Sequence, residues 1–398
     1  MTRDSRDSRD IRRFATIADK VRNDVDLDLD DGVFLYRYPD LLAVGALANE
    51  QRERLHGDQT FFNVNFHINP TNVCEADCKF CSFARLTPDS PAAYTMSVDQ
   101  VRQKLVDRID QPVTEIHIVN GLHGGLPFEY YKDCLRVLKA LRPDVHLKAY
   151  TAVEIHYFAE KFGMSYEQVL SELIDAGLGS LPGGGAEIFA ERVRHKMCKD
   201  KATAEQWLEV HRTAHRLGLR SNCTMLYGTI ETLEERVDHM LRLRALQAET
   251  GGFQTFIPLA FHHEGNDFAR LPEPTGVDNL RTYAVGRLML PNIPHIKAYW
   301  IMIGVKIAQV SLSFGVDDLD GTVQEEKIYH MAGAETPQAM TRADLVRLIR
   351  EAGRTAVERD TLYHQRWTDD GAPLDGIRLD ASVPFSGHRD RVQLRVVS

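Results

Sequence analysis

The sequence predicts an α/β protein, a (β/α)8 barrel of the TIM type with an N-terminal helical extension, and two observations predict it. Strand-like and helix-like stretches alternate at intervals of about 30 residues, the signature of parallel βα units. Several candidate strands also alternate polar with apolar residues. A parallel sheet covered by helices has no solvent-facing side, so a polar face there implies a lumen that holds ligand. Length and composition, 398 residues with 43% hydrophobic content, accommodate one large barrel or two ordinary domains and do not choose between them.

Residues 1–60 read as a charged tail and helical extension. The opening repeat RDSRDSRD has nothing to bury and is expected to be disordered or to fray. From Ile11 to Asp58 the pattern is helical, with Phe34, Leu41, Leu42, Val44 and Leu47 spaced as one buried stripe. Residues 61–333 hold the barrel. Its candidate strands are FFNVNFHIN, TEIHIVNG, VHLKAYT, GLGSLPGG, RSNCTMLYG, FQTFIPLAF, HIKAYWIMI and AQVSLSFGV. Helices between them start with capping boxes, Ser97 with Gln100, Ser165 with Gln168 and Thr232 with Glu235, and several end at glycines such as Gly177 and Gly218. Residues 334–398 are expected to form a C-terminal helix and tail packed on the barrel.

In the first strand Asn63, Asn65, His67 and Asn69 alternate with Phe62, Val64, Phe66 and Ile68. The apolar set is expected against helices and the polar set in the lumen. Lys148 and Tyr150 on the third strand, and Lys297 and Tyr299 on the seventh, alternate in the same way. Any one of these residues could simply hydrogen-bond its neighbours; repetition over several strands favours the lumen.

A net charge of -9 argues against a general nucleic-acid binder, which needs clustered Lys and Arg. No run reaches bilayer length, and MTRDSRDSRD is charged where a signal peptide would be apolar. A cytoplasmic enzyme acting on a small molecule, with no membrane or nucleic-acid partner, is expected.

The chemistry is concentrated in NVCEADCKFCSF, where Cys74, Cys78 and Cys81 follow the first strand directly. That spacing lets three thiolates wrap one face of a [4Fe–4S] cubane and leaves the fourth iron without a protein ligand. An iron with an open position can chelate the amino and carboxylate groups of S-adenosylmethionine and pass one electron to its sulfonium. Cleavage then yields methionine and a 5′-deoxyadenosyl radical. Structural zinc prefers paired C-x-x-C knuckles with four ligands, and a plain electron carrier would need a fourth Cys and no barrel. Cys134, Cys198 and Cys223 are scattered and are not assigned to the metal.

The stretches FHINPTNVCEADCKFCSFAR, NGLHGGLPFEYY, LKAYTAVEI and LPGGGAEIF carry a resemblance that extends from about Phe61 to Gly333. The chain resembles the radical S-adenosylmethionine superfamily and, within it, the aminofutalosine synthases of the futalosine route to menaquinone. The resemblance implies a radical barrel in which the adenosyl radical adds to the vinyl carbon of 3-[(1-carboxyvinyl)oxy]benzoate. Rearrangement and loss of bicarbonate would give 6-amino-6-deoxyfutalosine. S-adenosylmethionine is then a consumed co-substrate, and a one-electron donor such as flavodoxin or ferredoxin is required. The alternatives are a related radical enzyme, the pathway's cyclase or a deazaflavin-forming synthase, and, from another class, a non-catalytic zinc or iron–sulfur binding protein.

Ligand sites in such barrels lie at the C-terminal ends of strands. For the cofactor these are Phe80 and Phe83 beside the last cysteine, Gly124 and Gly125 after the second strand, and Ser180, Gly184, Gly185 and Glu187 at the fourth. By resemblance Gly124 and Gly125 should meet the methionyl amino group, and Gly183, Gly184 and Gly185 allow backbone to pass close to ribose or substrate. The implied substrate carries two carboxylates, which in a dry pocket need cationic or donor partners. Lys148, His262, His263, Lys297 and Arg194 are candidates, with the two histidines favoured and Arg194 more readily an ordinary ion-pair residue. Asn65, His67 and Tyr150 complete the expected substrate face. Thr151 and Glu154 form a capping box, so Glu154 reads as structural. Asp317 and Asp318 end the eighth strand, where a carboxylate could bind a hydroxyl or cap a helix.

Overall fold

The computed structural model describes residues 3–371. Three helices open the chain, α1 (Arg3–Arg22), α2 (Leu29–Arg37) and α3 (Leu41–His56). The charged repeat expected to fray is therefore helical from residue 3, because the later turns of α1 bury Ile17, Ala18 and Val21 against the body. Of the expected stripe, Val44 and Leu47 are buried, whereas Leu42 is 72% exposed.

The run predicted as the first strand breaks at Val64 into β1 (Gln59–Asn63) and β2 (Asn65–Ile68). Then come α4 (Val98–Val106), β3 (Glu115–Ile118), α5 (Phe128–Leu141), β4 (His146–Ala149), α6 (Ala152–Phe162) and α7 (Tyr166–Asp175). The next group is β5 (Ser180–Leu181), α8 (Glu191–Cys198), α9 (Ala204–Arg216), β6 (Arg220–Tyr227), α10 (Leu233–Thr250) and β7 (Phe253–Ala260). The chain continues through α11 (Gly276–Met289), β8 (His295–Ile296), α12 (Trp300–Ile303), α13 (Val305–Ser311) and β9 (Asp318–Gly321). It closes with α14 (Arg342–Glu351), β10 (Thr355–Arg359) and β11 (Gln365–Thr368). The capping boxes at Ser97, Thr151, Ser165 and Thr232 are all formed, and Gly177 and Gly218 take positive φ.

Strands β2 to β8 make one parallel sheet in chain order, and β11-β10-β1-β9 make a second. The curled sheet is completed where β9 and the residues after it run between its edges. Lys297 bridges Asp318 on one side and Phe66 bridges Gln324 on the other. The eighth stave is thus β9, a step later than AQVSLSFGV. That run is the last turn of α13 and the turn that follows it, since a short apolar stretch reads equally as strand or buried helix. Likewise HIKAYWIMI is strand only at His295–Ile296 before α12 begins.

Register places His67 beside His117, and His117 beside Lys148, on β2, β3 and β4. These three side chains form one layer around the lumen. Below it, at the N-terminal ends of the strands, the barrel is plugged by ion pairs. Arg287 and His295 hold Asp317, while the Arg359 guanidinium grips Asp318 at 2.6 Å. Asp317 and Asp318 therefore serve the plug and not a ligand. The stretch from about Ala381 lies outside the described residues, and among those described no helix is long and apolar enough to cross a membrane.

Candidate active site

A single cavity runs from the loop after β2 down into the lumen. At its mouth Cys74, Cys78 and Cys81 are free and half-buried. The loop that carries them is tied from three sides. The Cys74 amide donates to the Arg85 carbonyl (2.9 Å), the Glu75 amide to Leu122 (2.9 Å) and the Lys79 amide to Met197 (2.9 Å). Burial pushes the Cys74 and Cys78 thiols above the usual range, so their thiolates need a cationic group between them. Among the described residues the one trio of ligand atoms converging within 4.8 Å is His56, His295 and Asp317, in the plug. Three thiols on one loop at the cavity mouth are a donor set that a [4Fe–4S] cluster can take, with one iron left without a protein ligand.

Beside the cysteines, the loop after β5 passes Gly183, Gly184, Gly185 and Glu187 along the cavity. A Cβ on Gly183 would sit 2.8 Å from the Asn222 carbonyl oxygen, and one on Gly185 2.3 Å from Val153, at φ +86. Only glycine fits such close approaches. Arg194 is buried and fixes this loop from behind, donating to the Ala186 carbonyl at 2.6 Å. Glu187, at φ 48, turns its carboxylate onto Lys201 at 2.5 Å. Burial alone would depress the Lys201 ammonium, but Glu187, with Cys78 and Cys198, holds it above its usual value. Lys201 also stands 5.1 Å over the Phe80 ring.

The floor of the cavity is a set of closed ion pairs. Lys148 donates to Glu115 at 2.6 Å and Lys297 to Asp320 at 2.7 Å, all four buried. Burial opposes the charge on Glu115, yet Lys148, Lys297 and His117 keep its carboxyl well below the usual range. Burial also lowers Lys148, against the pull of the same Glu115. Glu154 caps α6 as expected and lines the cavity as well, accepting from the Thr151 amide at 2.8 Å and the Asn120 amide at 3.0 Å. Burial drives its carboxyl up to about 7 in spite of these donors.

The cavity brings together most of the expected residues: the three cysteines, Phe80, Phe83, Gly184, Gly185, Glu187, His67, Lys148, His262 and Lys297. Six others do not line it. Tyr150 takes φ 58, which breaks the strand alternation and sends its hydroxyl to the Tyr131 carbonyl (2.6 Å) under the helices. Ser180 Oγ is spent on His146 Nε2 at 2.8 Å, and Asn65 Oδ1 on the Val323 amide at 2.8 Å. Gly124 packs against the cysteine loop, and the Gly125 amide donates to His123 Nδ1 at 2.9 Å. A Cβ on Gly124 would sit 1.9 Å from the Glu75 carboxylate, and the Gly124 carbonyl accepts from Lys161 at 2.6 Å. Nδ1 of both His262 and His263 faces Glu273, at 3.2 and 3.6 Å, but only His262 lines the cavity, with Nε2 on the Met302 carbonyl at 2.7 Å. Sequence reasoning missed His117 and Lys201. His117 was legible, since TEIHIVNG repeats the polar alternation of the first strand. Lys201 follows α8 in a charged run that reads as solvated surface.

Comparison with known proteins adds two family profiles, the radical SAM superfamily over residues 68–243 and the CofH/MqnC C-terminal region over residues 250–371. The chain is 50% identical to an aminodeoxyfutalosine synthase of Thermus thermophilus, over 89% of this chain and 96% of that one. It is equally 50% identical to an aminodeoxyfutalosine synthase of Streptomyces coelicolor, over 86% and 92%. A 5-amino-6-(D-ribitylamino)uracil–L-tyrosine 4-hydroxyphenyl transferase of Methanopyrus kandleri is 42% identical over 79% and 87%. Among solved structures, methylornithine synthase superposes with a TM-score of 0.67 at 15% identity, over 85% of this chain and 96% of that one. The likeness to that structure concerns the fold.

Proposed function

Because the chain belongs to the radical S-adenosylmethionine superfamily and, within it, to the family of the aminodeoxyfutalosine synthases, we propose that it joins the 5′-deoxyadenosyl group of S-adenosylmethionine to 3-[(1-carboxyvinyl)oxy]benzoate. Attack falls on the vinyl carbon, bicarbonate is lost, and 6-amino-6-deoxyfutalosine is formed for menaquinone. One observation carries the reading beyond family likeness: the cysteine loop and the polar lumen are two ends of one cavity. A radical formed at the mouth meets whatever the lumen holds before it meets solvent.

Cys74, Cys78 and Cys81 would hold the [4Fe–4S] cluster, which when bound supplies the electron that cleaves the sulfonium. The chain's own work is to bind and to exclude water. The glycines from Gly183 to Gly185 let backbone lie against the nucleoside. Glu187 can accept ribose hydroxyls, its charge balanced by Lys201. His67, His117, Lys148 and Lys297 line the deeper part, where the aromatic substrate belongs. A primary carbon radical attacks almost any C–H bond, so holding the vinyl carbon in attack geometry matters more here than acid–base chemistry, and no base is assigned. The electron would come from a one-electron donor such as flavodoxin or ferredoxin in the cytoplasm.

The test is mass spectrometry of the product made anaerobically from reduced, iron-reconstituted enzyme with both substrates. Incorporation of the adenosyl group is expected. Release of free 5′-deoxyadenosine alongside a product lacking it would assign the chain to a hydrogen-abstracting relative instead.

A further inference from the structure

The implied substrate carries a carboxylate at each end, and the lumen has three lysines for them. Each is already matched: Lys148 to Glu115 (2.6 Å), Lys297 to Asp320 (2.7 Å) and Lys201 to Glu187 (2.5 Å). Drawing a lysine away would strand a buried carboxylate, which costs more than the new contact returns. No arginine lines the cavity among the described residues.

What remains is the pair of imidazoles in the layer above the plug, one of which has an unpartnered ring nitrogen. His67 and His117 stack at 4.6 Å with planes 13° apart, and both line the cavity. His67 is 7% exposed and its Nε2 has no hydrogen-bond partner among the described residues. A buried polar atom without a partner gains a hydrogen bond when a ligand arrives and strands no other group, whereas a lysine drawn to the ligand would leave its carboxylate behind. Three carboxylates, Glu115, Asp320 and Glu326, and two ammoniums, Lys148 and Lys297, surround the two rings, and burial holds both imidazoles below their ordinary range, so they meet a ligand as neutral hydrogen-bonding groups.

We propose that His67 and His117 together are the anchor for the ring carboxylate of the aromatic substrate. The choice between the two carboxylates follows from depth. The enolpyruvyl carboxylate is bonded to the carbon next to the one attacked, so it must lie near the cysteine loop. The ring carboxylate is at the far end of the molecule, and the stacked imidazoles sit on the strands below that loop. The inference rests on the proposed reaction and adds to it the group that orients the substrate in the lumen.

The experiment compares kcat/KM for the parent substrate with that for 2-phenoxyprop-2-enoate, the same vinyl ether without the ring carboxylate. It uses reconstituted, reduced enzyme with S-adenosylmethionine. Wild-type enzyme prefers the parent, and His117→Ala cuts that preference by roughly ten- to hundredfold, the range for a hydrogen bond to a charged group. The loss appears in KM for the parent and not in kcat. His67→Gln, which keeps a donor and the ring's approximate volume, loses less than His67→Ala. Calorimetric titration of unreduced enzyme with each compound shows the same split. An unchanged preference in both alanine variants overturns the anchor and leaves the reaction standing. Equal loss of both compounds in a variant with full iron content also overturns it, assigning the rings to the nucleoside end or to structure. A wild-type enzyme that turns over neither compound overturns the reaction itself.

Discussion

Lys201 and Glu187 form an ion pair in which neither side chain is more than 15% exposed, at the edge of a cavity that must admit a charged nucleoside. Removing one partner of such a pair leaves an uncompensated buried charge, at about 3–5 kcal/mol. Lys201→Met should therefore lower stability to denaturant by that order, and adding Glu187→Gln should restore most of it. If the pair also grips S-adenosylmethionine, the double variant regains stability without regaining affinity, a split that a purely structural pair would not show. Glu154 makes the converse case. Four donors converge on its two oxygens: the Thr151 amide and hydroxyl at 2.8 and 2.9 Å, and the Asn120 amide and side chain at 3.0 and 3.2 Å. Glu154→Gln preserves size but turns an N–H toward two of these donors. A cost of about 1–3 kcal/mol is expected, and a denaturation midpoint that does not move would show that the donors find other acceptors.

At the scale of elements, the loop after β5 depends on a backbone that nothing else can imitate. The Cβ of a Gly183→Ala variant would meet the Asn222 carbonyl and the Cys223 backbone at 2.8 Å. Both belong to β6 and cannot retreat, so the loop must swing into the cavity. Affinity for S-adenosylmethionine should fall at least about tenfold, as when a positioning element is displaced by an ångström, and equilibrium dialysis of the reconstituted enzyme measures it. This loop was legible because three consecutive glycines have few structural uses, and the capping boxes were legible because their chemistry is local. The cysteine spacing was legible for the same reason. Long-range effects were not. Tyr150 continues the alternation of Lys148 in sequence, but its left-handed backbone turns it out of the lumen. Nothing local marks β9 as the closing stave, since DLDG reads as a turn until Arg359 and Lys297 are seen to neutralise its carboxylates. The helical state of the opening repeat depends on contacts made by Ile17 and Val21 beyond it.

Across the whole molecule, segments far apart in sequence are stitched together beneath the barrel. Strand β10 pairs with β1, and the Thr361 hydroxyl donates to the same Glu115 carboxylate that holds Lys148. The interior so enclosed keeps several histidines neutral, and this sets how stability depends on pH. His239 shows why: Nε2 donates to the Thr224 carbonyl (2.9 Å), leaving Nδ1 to accept the Phe189 amide (3.2 Å), so a second proton would face an N–H. Burial lowers His239 to about 3, and His146 and His215 to about 4. A depressed folded value means stability that is present above the unfolded value near 6.5 and lost as pH falls toward 4. Glu154 works in the opposite sense. Its folded value of about 7 makes its contribution complete below the ordinary carboxyl range and lost as pH rises through neutrality. Burial lowers further imidazoles as well, among them His211 and His117, so the histidines outnumber Glu154 and unfolding takes up protons on balance near pH 5.5. Stability should then fall on acidification from about 6.5 toward 4.5. Chemical denaturation midpoints across that interval measure the slope, and His239→Gln should reduce it by about 1.4 kcal/mol per unit. A flat profile would mean that these imidazoles take up protons without opening the barrel, and hence that water reaches the interior around them.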